Sequence, residues 1–252
     1  MLALAIDTSG EICTLALGRD RELAAERRFH HKMNLLRRIL PNVDQMLSDA
    51  GLKPAEVGAV VVALGPGSFT GLRIGVTIAK SLAFSLSKPI VGVGTLDALA
   101  RSAAPTANEL ICPMIHARAG EVYWSLTDSS GTVRLADYEV GTVVRALEAV
   151  AERGGSVHFC GTGATRNAET IRHRFGGAAV VGEPWSEYPL GGALLDLGFR
   201  RIERSEFDDA STLAPMYVRK PTPVVRLETG AFAKRHSERS EESRPDSSLR
   251  SE

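Results

Sequence analysis

Two short segments carry the residues of this chain that could do chemistry. The first, Asp7-Thr8-Ser9-Gly10, follows an apolar run that begins at Leu2. A carboxylate at the end of a buried strand, followed by small hydroxyl residues and glycine, suits Mg²⁺ held through water and phosphates held by backbone N–H groups. The same residue types also favour an ordinary turn, because Asp and Ser side chains hydrogen-bond the local backbone. The residues alone leave both interpretations of this turn open.

The second segment is a glycine-rich loop between a β-type run, residues 57–62, and a helix that we predict over Leu72–Leu86. Its sequence is Gly65-Pro66-Gly67-Ser68-Phe69-Thr70-Gly71-Leu72-Arg73. Glycine and proline at this density are unsuited to the interior of a strand or a helix. A tight turn that opens onto a helix N-terminus offers free N–H groups to an anion or to acceptor groups of a partner. The alternative is a purely structural turn, since short glycine motifs recur by accident.

The helix after this loop carries a stripe of small residues. Gly71, Gly75, Ala79 and Ala83 recur every four residues, so no bulky side chain interrupts one side of the helix. Helix axes lie about 8–10 Å apart, depending on the side chains at the contact, and small residues permit the close end of that range. We predict that this stripe contacts a helix of another subunit. Packing against the chain's own sheet is the alternative.

The elements that must position these segments do not follow a regular Rossmann alternation. Three strand-like runs predict an antiparallel meander at the N-terminus, and the apolar residues from Leu35 to Ala50 follow the rhythm of an amphipathic helix. Asn34 is the expected N-cap of that helix, and Pro41 predicts a kink or a late start. The first half therefore has the order βββαβαβα. The second half, from Leu110 onward, repeats a meander followed by helices, one of which is predicted over residues 165–175.

Composition limits the class of protein. A chain of 252 residues with 44% hydrophobic content and a formal net charge of zero predicts a globular protein without a field that attracts nucleic acid. The three cysteines form no closely spaced pair, which fits a reducing cytosol. No apolar run approaches the roughly 20 residues that span a bilayer, so we predict a cytoplasmic protein without membrane contact. No histidine metal motif or hydrolase elbow is recognisable, so we assign no catalytic or metal-binding residue.

Several segments together resemble the bacterial TsaB family of tRNA threonylcarbamoyladenosine biosynthesis proteins. The most specific is the string from Leu64 to Gly75. The supporting segments are Ile6-Asp7-Thr8-Ser9, Pro89-Ile90-Val91-Gly92-Val93, Ala117-Arg118, Gly120-Glu121-Val122-Tyr123-Trp124 and Tyr217-Val218-Arg219. The resemblance omits the polar segment from Lys234 to Glu252, which we predict to be disordered and dispensable.

The resemblance implies an α/β protein with the two-lobed actin/hexokinase/Hsp70-like (ASKHA) fold, in which each lobe is a mixed sheet with flanking helices. The expected lobes are residues 1–104 and 105–222, the last helix packing back on the first lobe, followed by a linker and tail, 223–252. The family resemblance also implies a non-catalytic subunit. It pairs with its paralogue TsaD, which carries the metal site and transfers the threonylcarbamoyl group to adenosine 37 of ANN-decoding tRNAs.

The resemblance implies further partners and cofactors. An ATPase, TsaE, joins the complex, and tRNA is met through the complex. This chain requires no cofactor of its own, while ATP or ADP with Mg²⁺ acts at the level of the complex. For the isolated chain, a monomer and a homodimer both remain open. The alternative function is that of an autonomous ATPase or small-molecule kinase with the same fold.

The family dimer is built from the first two helices, so the resemblance places the partner interface on the loop and the stripe. The expected interface residues are Gly65, Pro66, Gly67, Ser68, Phe69, Thr70, Gly71, Arg73, Gly75, Ala79 and Ala83. The resemblance also implies that Asp7, Thr8 and Ser9 are the remnant of a nucleotide site. His116 stands where the family commonly has Asp, which removes an acid for metal-assisted hydrolysis. The segment 30–36 also departs from the usual entry to the first helix, so contacts there are expected to differ.

Overall fold

Two mixed β-sheets organise the residues that this computed structural model describes, which are 1–31, 34–103 and 109–218. The first sheet contains β1 (Leu2–Asp7), β2 (Ile12–Arg19), β3 (Glu22–His30), β4 (Val57–Gly65) and β5 (Ile90–Gly94). The second sheet contains β6 (Leu110–His116), β7 (Glu121–Thr127), β8 (Arg134–Thr142), β9 (Val157–Cys160) and β10 (Ala179–Val181). The predicted boundary between 104 and 105, Arg219 and the tail 223–252 lie outside the described residues.

Helices flank both sheets. They are α1 (Leu35–Asp49), α2 (Phe69–Leu86), α3 (Thr95–Ser102), α4 (Val143–Ala151), α5 (Thr162–Arg166), α6 (Ala168–Phe175) and α7 (Gly191–Glu203). The predicted single helix over 165–175 is wrong in detail, since it is two short helices that meet at Asn167.

The two sheets have the same topology. The first has the strand order β3-β2-β1-β4-β5, and the second has the order β8-β7-β6-β9-β10. In each, an antiparallel meander of three strands is followed by two strands parallel to the first. The predicted meander and its repeat in the second half are confirmed. The expected α/β class, with two mixed sheets flanked by helices, is confirmed with them.

The first sheet is covered on both faces, as its apolar strands require. Successive side chains of a strand point to opposite faces. On β1, Leu4 and Ile6 therefore pack in the core with α1 and α2, while Ala3 and Ala5 pack in the core with α7. The alanines allow α7 to lie close to this sheet, although α7 follows the second sheet in sequence.

The helix α3 connects the cores of the two sheets. Ala98 packs with the α7 side of the first sheet, while Leu99 and Ala100 pack with Ile111 and Cys160 of the second sheet. Residues Met1–Val218 accordingly form one compact unit.

The first helix differs from its prediction in three ways. It runs without interruption from Leu35 to Asp49 with Pro41 inside it, so the late start is wrong. Asn34 is the N-cap residue, but its side chain makes no capping hydrogen bond. Leu36 and Leu40, which the apolar rhythm assigned to the buried side, are exposed.

The second helix is longer and more apolar than the sequence analysis allowed. Phe69–Leu86 has 18 residues and a mean hydropathy of 1.2, enough by length and composition alone to cross a membrane. Leu72, Val76 and Ala79 of this helix are nevertheless buried in the chain. Val76 and Ala79 pack in the core of the first sheet, as in a core helix.

Candidate functional site

The turn after β1 is buried in the chain. Asp7 and Thr8 are almost completely inaccessible, and one oxygen of Asp7, Oδ1, accepts a hydrogen bond from the Ser9 N–H at 2.8 Å. The other oxygen, Oδ2, is buried and has no hydrogen-bond partner in the described part of the chain. Burial raises the pKa of Asp7 to about 6, and the hydrogen bonds from Ser9 and the charge of Arg28 only partly oppose this rise.

The glycine-rich loop packs directly on this turn. The Ser68 N–H donates to the Ser9 carbonyl at 2.6 Å, and Thr8 Oγ1 donates to the Gly71 carbonyl at 2.8 Å. A Cβ at Gly67 would overlap the Ser9 backbone. The structure thus brings together the two segments that the sequence singled out, and the loop needs glycine because the turn leaves no space for a side chain.

The start of α2 uses the N–H groups that the sequence offered to an anion. The helix begins at Phe69, three residues before the predicted start, and Ser68 is its N-cap. Ser68 Oγ accepts from the Gly71 N–H at 3.2 Å, and the Ser68 carbonyl accepts from the Leu72 N–H at 2.9 Å. The N–H groups of Ser68, Gly71 and Leu72 therefore have partners within the chain, and the anion interpretation is wrong for them.

The stripe of small residues faces the inside of the chain. Gly71, Gly75, Ala79 and Ala83 are all buried. A Cβ at Gly75 would overlap Thr8 Oγ1, and both alanines belong to the core beneath the first sheet. The predicted contact of this stripe with another subunit is therefore wrong. The stripe lets α2 lie close to its own turn and sheet.

Other expected interface residues divide by exposure. Gly65 and Pro66 are buried and Gly67 is half-buried, because the loop is folded against the chain. The exposed members are Ser68, Phe69, Thr70 and Arg73.

Two of these exposed residues form a cluster with the carboxyl-terminal end of the described chain. The Arg73 guanidinium lies 4.0 Å from the centre of the Phe69 ring and donates to the Tyr217 hydroxyl at 3.1 Å. The Met216 N–H donates to the Leu64 carbonyl at 2.7 Å, and Lys80 Nζ donates to the Leu213 carbonyl at 3.0 Å. The segment that precedes Arg219 thus contacts the end of β4 and both halves of α2.

Tyr188 covers the other side of the turn. A Cβ at Gly10 would overlap the Tyr188 ring, so the ring lies directly on this glycine. Arg28 donates to the Tyr188 carbonyl at 3.4 Å, and Thr14 Oγ1 donates to the Pro189 carbonyl at 3.1 Å. With Gly10 covered by an aromatic ring and Asp7 enclosed, the turn does not fit a nucleotide phosphate.

His116 is the topological counterpart of Asp7, because each ends the first strand of its sheet. Its backbone N–H donates to Thr162 Oγ1 at 3.0 Å, so this second hairpin also contacts the start of the helix that follows the fourth strand of its sheet. Partial burial, with the nearby charge of Arg166, lowers the pKa of His116. Within the described ranges, no group of three or more His, Cys, Asp or Glu residues could hold a metal ion.

Three large apolar side chains of α1 and α2 are exposed. Leu36 is 64% exposed, Leu40 is 48% exposed, and Phe84 is 86% exposed. Both helices pack on the same face of the first sheet and contact one another. We call these three residues the α1–α2 face.

The sequence contains a signal for the α1–α2 face that the predicted amphipathic rhythm of the first helix did not use. The adjacent apolar pairs Leu35-Leu36 and Ile39-Leu40 make a stripe wider than one buried side requires. In each pair the first residue is buried and the second is exposed. No comparable signal pointed to Tyr188.

Comparisons with known proteins show which family this chain belongs to. The sequence model of a family described as "TsaD: tRNA N6-adenosine threonylcarbamoyltransferase" matches residues 30–170. The tRNA threonylcarbamoyladenosine biosynthesis protein TsaB of Bacillus subtilis is 34% identical over 229 residues, which cover 87% of this chain and 94% of that protein. TsaB of Escherichia coli is 39% identical over 126 residues, 50% of this chain and 54% of that protein.

A solved structure has the same fold. The crystal structure of a Pseudomonas aeruginosa protein described as similar to peptidase YEAZ superposes with a TM-score of 0.75 and 29% sequence identity. The superposition covers 86% of this chain and 99% of that one. With the Bacillus relative matched over nearly its whole length, the chain belongs to the TsaB family of tRNA threonylcarbamoyladenosine biosynthesis proteins.

Proposed function

We propose that this chain is a non-catalytic cytoplasmic subunit that pairs with a TsaD-like paralogue to make N6-threonylcarbamoyladenosine at position 37 of ANN-decoding tRNAs. Family membership supports the role in this biosynthesis. The observation that carries the pairing is the α1–α2 face, where Leu36, Leu40 and Phe84 expose large apolar side chains on two neighbouring helices. Large apolar side chains exposed on neighbouring helices are typical of protein–protein contacts.

A TsaD-like chain is the occupant that the fold favours. The TsaD family model matches residues 30–170, a range that contains α1 and α2. The chain and the proposed partner therefore share this part of the domain. Two similar domains can meet through equivalent helices, so that the apolar side chains of one pack between those of the other. A homodimer would use the same face and is an outcome of the test.

The turn supports the non-catalytic part of the proposal. Tyr188 and the loop at Gly67 cover the residues that would bind phosphate, which fits a remnant of a nucleotide site at Asp7, Thr8 and Ser9. His116 supplies an imidazole where a carboxylate would hold a cation. In this proposal the chain needs no cofactor, while ATP or ADP with Mg²⁺, a TsaE-like ATPase and tRNA act at the level of the complex.

Introducing a negative charge on the α1–α2 face tests the pairing. Phe84→Glu and Leu40→Glu place a carboxylate in the proposed contact, while Val144→Glu on α4 is a matched control because Val144 is 56% exposed on a helix of the second sheet. We expect the first two variants to weaken association with a TsaD homologue from the same organism at least about tenfold. The control should bind like the wild type in light-scattering and calorimetric measurements.

Two results would contradict the proposal. One is equal binding by all three variants. The other is ATP turnover by the chain alone that is lost in Asp7→Ala, since the non-catalytic interpretation gives Asp7 no role in hydrolysis. A wild-type homodimer that the TsaD homologue cannot displace would assign the α1–α2 face to a second copy of this chain.

A further inference from the structure

A polar pocket of about 300 Å³ lies away from both the Asp7–Ser9 turn and the α1–α2 face. It is formed where the end of β5 meets the start of α3 and the last turns of α7. Its wall includes Gly92, Gly94, Thr132 and three arginines, Arg200, Arg201 and Arg204. We infer that this pocket binds a phosphate-bearing ligand.

The three guanidinium groups are held by carboxylates that do not line the pocket. Arg200 Nε donates to Asp196 Oδ2 at 3.0 Å, and Arg201 Nη1 donates to Asp208 Oδ2 at 2.8 Å. The third group, Arg204 Nε, lies 2.8 Å from Glu206 Oε1. None of these carboxylates is part of the pocket wall, so they fix the arginines without covering their pocket side.

The arginines keep hydrogen-bond donors for a ligand. Arg200 is held through Nε alone, and its two terminal nitrogens have no acceptor among the residues that the structure describes. Arg204 uses Nε and Nη2 toward Glu206, which leaves Nη1 without a described acceptor. A guanidinium donates paired, charge-assisted hydrogen bonds that match phosphate oxygens.

The charged side chains of the pocket wall are all ion-paired. Its one acidic residue, Asp97, is ion-paired with Arg134, whose Nη2 lies 2.6 Å from Asp97 Oδ2. The carboxylate that pairs with Arg200, Asp196, also forms ion pairs with Arg21 and Arg101. Arg21 has a second partner in Glu203. Each wall arginine also has a carboxylate partner outside the wall, and Arg201 is fully engaged by Asp208 and the Gly92 carbonyl. An anion would therefore be held by the remaining donors of Arg200 and Arg204, not by an excess of positive charge.

The size and lining favour recognition of the phosphate rather than of a large apolar group. About 300 Å³ is at the lower end for ligand pockets, and glycine backbone and arginine dominate the wall. Both a free diphosphate compound and the backbone of an RNA have this chemistry. The inference goes beyond the proposed pairing and does not depend on it, because it concerns the full chain in isolation.

Calorimetry with inorganic pyrophosphate at constant ionic strength tests the pocket. The double variant Arg200→Gln/Arg204→Gln removes the half-buried and the exposed guanidinium, and the double variant Arg172→Gln/Arg174→Gln on α6 is the charge-matched control. The variant at Arg200 and Arg204 is called the double variant below, and the α6 variant is called the control. We expect the double variant to bind pyrophosphate at least about tenfold more weakly and the control to match the wild type. An unchanged melting temperature shows that the variants remain folded.

A second arm separates the two sources of phosphate. If the ligand is a free diphosphate compound, ADP competes with pyrophosphate and the double variant binds unmodified tRNA like the control. If it is an RNA backbone, the double variant weakens tRNA binding and lowers its salt dependence, while the control does not. Equal binding of both probes by the double variant and the control, or no binding of either probe by the wild type, would overturn the inference.

Discussion

Asp7 is a carboxylate in the core with only one of its oxygens hydrogen-bonded. The Ser9 N–H satisfies Oδ1, but Oδ2 is enclosed without a described partner. An ionised carboxylate at such a position loses its hydration without full compensation, which is why the pKa of Asp7 rises to about 6. The residue that the sequence offered as a metal or phosphate contact is therefore a cost to stability at neutral pH.

The pH dependence of stability follows from this shift. The folded-state pKa of Asp7, about 6, lies above the ordinary Asp value of 3.8, so the folded chain binds the proton more tightly than the unfolded chain. Stability from this group is present below about pH 4 and is lost as pH rises through 6, by up to about 3 kcal/mol. We therefore expect the unfolding free energy of Asp7→Asn, measured in urea from pH 4 to 7, to increase relative to that of the wild type as pH rises. Parallel curves would show that Asp7 does not titrate in this range.

Gly75 is required by the Thr8 side chain, not by a partner. In Gly75→Ala the new Cβ would overlap Thr8 Oγ1, which cannot turn away without losing its bond to the Gly71 carbonyl. We expect a loss of about 1–3 kcal/mol in the unfolding free energy. Gly177→Ala is the control, because a Cβ there meets nothing within 4 Å.

The clash can be separated from a general loss of helix packing by a double-mutant cycle. Thr8→Ala removes Oγ1, so Gly75→Ala should cost less in the Thr8→Ala background than in the wild type. Additive costs would mean that the Thr8–Gly75 contact does not determine the need for glycine.

At the scale of elements, the start of α2 depends on one hydroxyl. Ser68 Oγ accepts from the Gly71 N–H, whereas Asn34, the N-cap of α1, makes no side-chain capping bond. Ser68→Ala should lower the free energy of unfolding by about 1 kcal/mol, while Asn34→Ala should leave it nearly unchanged. Chemical denaturation of both variants measures the difference, and equal losses would show that the Ser68 cap is not special.

Most elements of the fold were predictable because their signals are local. The meander, the strand at Val57 and the helix from Leu35 follow from short apolar patterns and turn residues. The start of α2 was placed too late, because the glycine density of the loop outweighed the capping signal of Ser68.

The environment of the candidate site was not predictable from local patterns. Tyr188 covers Gly10 from a segment far along the chain, and nothing near Tyr188 in sequence indicates this contact. The small-residue stripe from Gly71 to Ala83 was recognised, but a stripe shows only that something lies close to it. Its occupant, the turn at Thr8, depends on how two distant segments meet.

At the scale of the whole molecule, the two sheets repeat one topology but differ at their equivalent turns. The first turn is closed by Tyr188 and the loop at Gly67, whereas the second carries His116 in an exposed position. Since α3 packs with residues of both sheets, the described halves are linked through a shared core. Such a molecule is suited to present a fixed surface, and the α1–α2 face contributes exposed apolar side chains to its first half. The segment 234–252 lies outside the described residues, and its dispensability stays a prediction.

Hydrogen–deuterium exchange of the chain, alone and mixed with a TsaD homologue from the same organism, tests directly whether the partner binds at the α1–α2 face. Amides that become buried in an interface exchange more slowly. In the mixture we expect slower exchange in peptides from α1, Leu35–Asp49, and α2, Phe69–Leu86, and unchanged exchange in α4 and α6. Protection confined to α4 and α6, or no protection in a complex that forms, would contradict binding at this face.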